Sequence, residues 1–194
     1  MSDLDLAVSV ALGIGLAAAT GLRVFLPLLV VSAAAYSGHL PLADSFAWLG
    51  TPAALILLSV AAVVEILAYY IPGVDNLLDA LATPAALVAG TVVSAAVITD
   101  LPPTVKWATA VIAGGGIAGV MQSMTALLRA KSTVFTAGVG NPVLATSELA
   151  GSLLMSLLAL AAPLIALLLI VLFLWLGLRL LLRVTRRSPP APEP

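Results

Sequence analysis

The chain has 194 residues, of which 62% are hydrophobic and only 9% are charged. Soluble domains are about 45–50% apolar and about 25% charged, so this sequence has too little polar surface to cover itself in water. Its net charge of −1 gives no electrostatic basis for a nucleic-acid partner, and the absence of cysteine excludes thiolate metal sites. We therefore predict an all-α, polytopic transmembrane helix bundle whose main partner is the lipid bilayer.

The first apolar stretch, residues 6–36, contains a break. As one straight helix it would be roughly 46 Å long, which exceeds the thickness of the hydrocarbon core. Gly21, Arg23 and Pro27 also interrupt it. We predict two helical pieces that meet near residues 20–23, as either a broken span or a re-entrant hairpin.

A water-facing loop is predicted for residues 37–50, with spans at 52–71, 76–98 and 104–130. Each of these apolar runs approaches or exceeds the roughly 20 residues that cross a bilayer as a helix. Asp75 directly precedes the second of them and is expected to cap it.

Residues 131–151 are too polar for a lipid-facing span and too apolar for an ordinary loop. Unwound backbone at membrane depth survives only where protein or water satisfies it. We therefore predict a second re-entrant or broken element here. Paired broken segments in two halves of a membrane protein are typical of inverted repeats around a midplane site, so an inverted repeat is possible.

The C-terminal region, residues 152–183, is almost wholly apolar and is divided by Pro163. Half of the eight basic residues lie near its end, namely Arg179, Arg183, Arg186 and Arg187. This predicts a cytoplasmic C-terminus. We predict a single transmembrane domain over 1–187, with five or six crossing elements and one or two re-entrant ones, and a disordered tail over 188–194.

Small and polar side chains recur at helical spacing in the fourth apolar run. Gly115 and Gly119 form a G-x-x-x-G pair, which favours close approach of two helices in lipid and makes a homo-oligomer possible. Gln122, Thr125 and Arg129 form a polar stripe on one helix face. Hydrogen bonding between helices explains that stripe without any further function.

Three of the nine acidic residues surround one Ile-Pro-Gly turn: Glu65, Asp75 and Asp79. An ionisable group inside a membrane is costly and normally faces a partner or a water-filled cavity. Capping and the helix dipole explain Asp75 and, less well, Asp79. They leave Glu65, which lies inside an apolar run, unexplained.

Arg23 lies in the first break, where an unpaired cation would be unfavourable. Its expected partner is Glu65, Asp79 or Glu148, because a carboxylate stabilises a buried guanidinium. Such a pair would serve either as a structural fastening or as part of a permeation path. The candidate polar site comprises Arg23, Glu65, Asp75, Asp79, Asn141 and Glu148.

The sequence carries few signatures of enzymes. The single histidine, His39, excludes an H-E-x-x-H zinc site, and no G-x-S-x-G accompanies it. Asp75 and Asp79 are too close along one helix to oppose each other as a proteolytic pair. We expect no catalytic residues, no bound metal and no cofactor.

Four segments carry a family resemblance: GLRVFLPLLVVS (21–32), VEILAYYIPGVDNLLDALATPAALVAGT (64–91), KWATAVIAGGGIAG (106–119) and GNPVLATSE (140–148). They resemble a bacterial integral-membrane family catalogued as a domain of unknown function, the DUF4126-type proteins. The resemblance implies a small multi-pass protein of the inner membrane and assigns no activity.

Three functions remain open at this level. The leading hypothesis is a small transporter or channel-like protein for an unknown solute or ion. The second is a structural or partner-binding membrane protein without transport activity. The third is handling of a polyprenyl phosphate, because GL-x-x-FLP (21–27) is similar to the re-entrant segment of undecaprenyl-pyrophosphate phosphatases. Arg23 and Val24 replace that family's adjoining acidic residues, so the similarity implies a ligand class only.

Overall fold

The computed structural model describes residues 3–71, 73–99 and 101–185. All regular elements within these ranges are helical, which confirms the all-α class. In chain order they are α1 (Asp3–Thr20), α2 (Phe25–Tyr36), a 3₁₀ helix (Asp44–Gly50), α3 (Pro52–Ala68), α4 (Val74–Val97), α5 (Pro103–Thr109), a π-helix (Ala110–Gly115), α6 (Gly116–Thr136), α7 (Asn141–Ala161) and α8 (Pro163–Thr185). The predicted tail, 188–194, lies outside the described residues, as do Arg186 and Arg187.

Several of these helices are suited to a bilayer. Three are long and apolar enough to cross one, at Val74–Val97, Pro103–Thr136 and Asn141–Ala161. A fourth span is added if Asp44–Gly50 and Pro52–Ala68, which meet at 67°, count as one element. The described part of the chain thus holds three or four spans by length and composition, fewer than the five or six expected. Three further apolar helical segments, of 10–17 residues each, are not counted among them: Leu4–Thr20, Phe25–Tyr36 and Pro163–Arg179.

The first apolar stretch breaks close to the predicted position. Helix α1 ends at Thr20 and α2 begins at Phe25. Pro27 does not cause the break, because it lies in the first turn of α2, where its missing N–H has no helical partner to lose. Gly21, just after α1, is needed for packing against α6, since a Cβ at this position would overlap the Ala118 carbonyl and the Met121 side chain.

Helices α1 and α2 are the two arms of this break, and both extend from it toward the same end of the bundle. We call the end of the bundle at Val97, where α4 stops, end A, and the end at Val74, where α4 starts, end B. In the first arm, Ser94 Oγ near end A donates to Gly13 O at 2.8 Å. Beyond the second arm, the Ala43 N–H donates to Ala96 O at 2.8 Å. The tip between the two arms therefore points toward end B.

Helix α1 is central and packs against α4, α7 and α8, while α4 packs against the π-helix and α6. Small residues permit these contacts. A Cβ at Gly15 would lie 2.8 Å from Ala159 Cβ in α7, and one at Gly90 would lie 2.5 Å from Ala118 Cβ in α6. Close approach of backbones of this kind is typical of helix packing in membranes.

The second predicted interruption, a re-entrant or broken element over residues 131–151, is wrong in that most of the segment is helical. Residues 131–151 are not unwound, because α6 continues to Thr136 and α7 starts at Asn141, with a four-residue turn between them. The polar side chains in this segment bond locally, as when Thr133 Oγ1 donates to Arg129 O at 3.0 Å and Ser147 Oγ to Val143 O at 2.8 Å. Hydroxyl groups that bond to the carbonyl four residues earlier bend or slightly weaken a helix but remain compatible with it, so polarity misled the prediction. The inverted repeat stays a prediction.

Candidate functional site: a buried charge cluster

Ionisable side chains from several elements meet inside the bundle near end B. Each side chain is buried, and they come from the α1–α2 break, α3, α4, α6 and α7. We define the charge cluster as Arg23, Glu65, Tyr69, Asp79, Arg129 and Glu148. The two arginines are 1% exposed, so their charges depend on neighbours rather than on water.

Glu148 is shared by the two arginines. Arg23 Nη2 lies 3.3 Å from Glu148 Oε2, and Arg129 Nη2 donates to the same oxygen. Arg23 Nη2 also donates to Ala145 O at 2.7 Å, one turn earlier on α7. The break in the first apolar stretch is thereby fastened to α7, and α7 to α6.

Asp79 and Tyr69 complete the ionic network. Arg129 Nε lies 3.1 Å from Asp79 Oδ2, and the Tyr69 hydroxyl donates to Asp79 Oδ1 at 3.3 Å. The guanidinium carbons of Arg23 and Arg129 lie 3.9 and 4.3 Å from the centroid of the Tyr69 ring. A desolvated cation over an aromatic ring gains about 2 kcal/mol or more, so Tyr69 stabilises both arginines.

Glu65 has a different role from the other carboxylates. Its Oε1 accepts from the Val24 N–H at 2.7 Å and its Oε2 from the Phe25 N–H at 3.0 Å. These are amides at the start of α2, where no side chain of that helix provides a cap. Glu65 is thus an N-cap supplied by another helix, favoured by the helix dipole. It makes no ion pair with a basic residue of the described chain.

A second polar group adjoins the charge cluster at end B. Asp75 Oδ1 accepts from the Gly73 and Asn76 amides, each at 2.9 Å. Its Oδ2 accepts from Asn141 Nδ2 at 2.6 Å, and Asn141 Nδ2 also donates to Thr133 Oγ1 at 2.9 Å. The predicted capping position is wrong, because α4 starts one residue before Asp75, its N-cap position is Gly73, and Asp75 lies in its first turn. From there Asp75 accepts from two amides at the start of α4 and joins α4 to α6 and α7.

Hydrogen-bond donors and acceptors are unevenly matched in the charge cluster. Arg23 Nε and Nη1, Arg129 Nη1 and the neighbouring Gln122 Nε2 are buried and have no hydrogen-bond partner. An unpaired buried donor costs about 1–3 kcal/mol. The charges are also unequal, since three carboxylates face two guanidinium groups. The charge cluster is therefore not the arrangement that stability alone would favour.

Two apolar grooves reach the charge cluster. The α3/α4 groove, about 460 Å³, is lined by α2, α3 and α4 and meets Glu65 and Tyr69. The α6/α7/α8 groove, about 580 Å³, is lined by the break residue Leu22 and by those three helices, and meets Glu148. Almost all the other side chains in both grooves are apolar, so a hydrophobic molecule could approach the buried charges from within the bilayer.

The structure brings together Arg23, Glu65, Asp79 and Glu148, and it places Asp75 with Asn141 beside them. Gly115 and Gly119 lie elsewhere, on the side of the π-helix and α6 that packs on Leu87 of α4.

Sequence reasoning left two members of the charge cluster out of the candidate site, Tyr69 and Arg129. The stripe formed by Gln122, Thr125 and Arg129 is buried, so the spacing of Arg129 was the available signal. Tyr69 gave no comparable signal.

No group of three or more potential metal-ligating residues occurs in the part of the chain that the structure describes. A bundle of apolar helices that encloses a network of paired charges defines a polytopic helical membrane protein.

Residues 10–183 match the model of the Domain of unknown function (DUF4126) family, so the chain belongs to that family. The predicted resemblance is confirmed. No curated protein and no solved structure matches the chain.

Proposed function

We propose that this protein is a small transporter or channel-like protein of the bacterial inner membrane, and that its solute or ion passes through the charge cluster. The C-terminus, and with it end B, faces the cytoplasm in this proposal. The α1–α2 segment acts as a re-entrant hairpin that enters from end A and carries Arg23 to the cluster. Helix termini that meet inside a membrane supply the partial charges used by transporters.

The unsatisfied donors on Arg23 and Arg129 are the observation that supports transport most strongly. A purely structural network would be expected to pair its buried donors, because each unpaired one lowers stability. Groups that must exchange partners during a transport cycle have a reason to keep donors available. As the helices move, the Glu148 carboxylate can then exchange its hydrogen bonds between the two guanidinium groups.

The unequal charge of the cluster supports coupling to protons. With two guanidinium groups and three carboxylates, one carboxylate is left without a direct ion pair among the described residues, and this is Glu65, on which Arg23 acts only at longer range. A proton is the smallest ion that can neutralise it. Protonation would weaken the N-cap on α2 and release the hairpin tip, which gives a direct physical link between proton binding and movement.

Proton flux into proteoliposomes tests the proposal without knowledge of the solute. A potassium gradient with valinomycin supplies the driving force, and an internal pH-sensitive dye reports the flux. We expect the protein to raise proton flux above that of empty liposomes, and Glu65→Gln and Asp79→Asn to reduce it. Unchanged flux in both variants would contradict the proposed site.

A structural role is the second candidate, because the charge cluster joins the α1–α2 break, α3, α4, α6 and α7. It predicts that Glu65→Gln and Asp79→Asn lower thermal stability in detergent while no ion moves in the wild type. Polyprenyl-phosphate handling has less support, since a phosphate requires excess positive charge and the cluster has three carboxylates against two guanidinium groups, both of which are ion-paired.

A further inference from the structure

The α3/α4 groove combines an apolar wall with a single ionisable carboxylate. Helices α3 and α4 are joined by a tight turn yet contact each other only sparingly, and the groove lies between them. Its side chains are apolar except for Glu65 and Tyr69. At about 460 Å³ the groove falls within the usual range of small-molecule sites, about 300–1,000 Å³.

The charge at the inner end of the groove selects for a cation. Glu65 is the only lining group of this groove with a carboxylate, and it is held by two backbone amides rather than by a basic side chain. Arg23 acts on Glu65 from inside the charge cluster but does not line the groove, so an anion in the groove would meet the carboxylate without direct contact with that cation. A hydrophobic cation, in contrast, matches both the apolar walls and the carboxylate.

We propose, resting on the transport function above, that the α3/α4 groove binds hydrophobic cations that enter laterally from the bilayer, with Glu65 as their counterion. A cation that takes the Glu65 carboxylate competes with the Val24 and Phe25 amides for its oxygens. Binding therefore loosens the start of α2, so a substrate and a proton act on the same N-cap.

The test compares two probes of similar shape and opposite charge, tetraphenylphosphonium and tetraphenylborate, by isothermal titration calorimetry on the full-length protein in detergent. We expect the phosphonium cation to bind and the borate anion to bind at least about ten-fold more weakly. Equal binding of both probes would show a merely hydrophobic surface and would overturn the proposal. Absence of phosphonium binding to the folded wild type would also overturn it.

Two variants locate the site. Glu65→Gln should weaken phosphonium binding by at least about ten-fold, and Ala61→Phe should block the groove and remove binding while leaving Glu65 in place. Ala108→Phe introduces the same side chain on α5, away from the groove, and should bind as the wild type does. Wild-type binding by Ala61→Phe would assign the cation to another surface and refute the groove.

Hydrogen–deuterium exchange of a peptide covering residues 21–27 provides a readout that simple adhesion to the surface would not change. Phosphonium should accelerate exchange at Val24 and Phe25 in the wild type, and unchanged exchange would contradict competition for Glu65. Failure of the binding tests with proton flux intact would remove the substrate class but leave the proposed transport. Phosphonium binding without proton flux would support the substrate class and contradict the proposed transport.

Discussion

At the residue scale, the charge cluster depends on Arg129 more than on any other group. It contacts both Asp79 and Glu148 and lies over Tyr69. Removing one partner of a buried ion pair leaves an uncompensated charge, which costs about 3–5 kcal/mol. Without Arg129, Asp79 loses its ion-pair partner and Glu148 keeps only its ion pair with Arg23. Arg129 is therefore the most sensitive single position in the cluster.

We therefore expect Arg129→Met to lower the free energy of unfolding by about 3–5 kcal/mol, measured by denaturation in mixed micelles. Lys131→Met removes an exposed cation two residues away and should change stability by less than about 0.5 kcal/mol. Adding Asp79→Asn to Arg129→Met should recover part of the loss. Equal effects of the Arg129 and Lys131 substitutions would show that the ion pairs of Arg129 contribute nothing to the free energy of unfolding.

Glu65 carries a separate prediction, because its contacts are to backbone amides. Glu65→Gln keeps an oxygen that accepts one N–H but loses the charge that favours a helix N-terminus. We expect a stability loss of about 1 kcal/mol, measured by thermal denaturation in detergent. Glu65→Ala leaves both amides unpaired and should cost more than Glu65→Gln. A wild-type midpoint in Glu65→Ala would contradict the capping role.

At the scale of elements, α4 packs against both the π-helix and α6, and this packing depends on glycine. A Cβ at Gly115 would lie 2.5 Å from Thr91 Oγ1 and 2.9 Å from Leu87 O, whereas a Cβ at Gly116 meets nothing within 4 Å. The main-chain carbonyl of Leu87 cannot move aside without shifting α4. Alanine substitutions at these two adjacent glycines are therefore expected to change stability in opposite directions.

Gly115→Ala should lower the free energy of unfolding by about 1–3 kcal/mol, because overpacking forces the helices apart. Gly116→Ala should raise it by roughly 0.5–1 kcal/mol, because alanine loses less backbone entropy in a helix. The detergent unfolding midpoints of both variants provide the comparison. Destabilisation by Gly116→Ala of the same size as by Gly115→Ala would argue against a close crossing at Gly115.

Sequence reasoning succeeded where an energetically unfavourable feature could be recognised within a single segment of the chain. The length of the first apolar stretch predicted a break, and Gly21 and Arg23 indicated where it lies. The cost of an unpaired cation inside a membrane indicated that Arg23 needs a carboxylate. It failed at residues 131–151, because hydroxyl groups satisfied within a helix resemble loop residues in composition. It also left the partner of Arg23 open among three acids, since the choice of Glu148 depends on how α1 packs against α7.

At the scale of the whole molecule, the direction of the α1–α2 segment decides how the charge cluster relates to the membrane. Helix α2 has 12 residues, or about 18 Å, and is too short to cross the hydrocarbon core alone. The segment is therefore either one broken span or a re-entrant hairpin. The contacts of Gly13 and Ala43 with the same end of α4 favour the hairpin.

Single-cysteine labelling tests this account most directly, and the chain contains no native cysteine to interfere. Leu4→Cys, Gly38→Cys and Val139→Cys are exposed positions in the first turn of α1, after α2 and in the α6–α7 turn. A membrane-impermeant maleimide applied to spheroplasts should label Leu4→Cys and Gly38→Cys alike, and should reach Val139→Cys only after the membrane is opened. Labelling of Leu4→Cys and Gly38→Cys from opposite sides would contradict the re-entrant hairpin and the route by which Arg23 reaches the charge cluster.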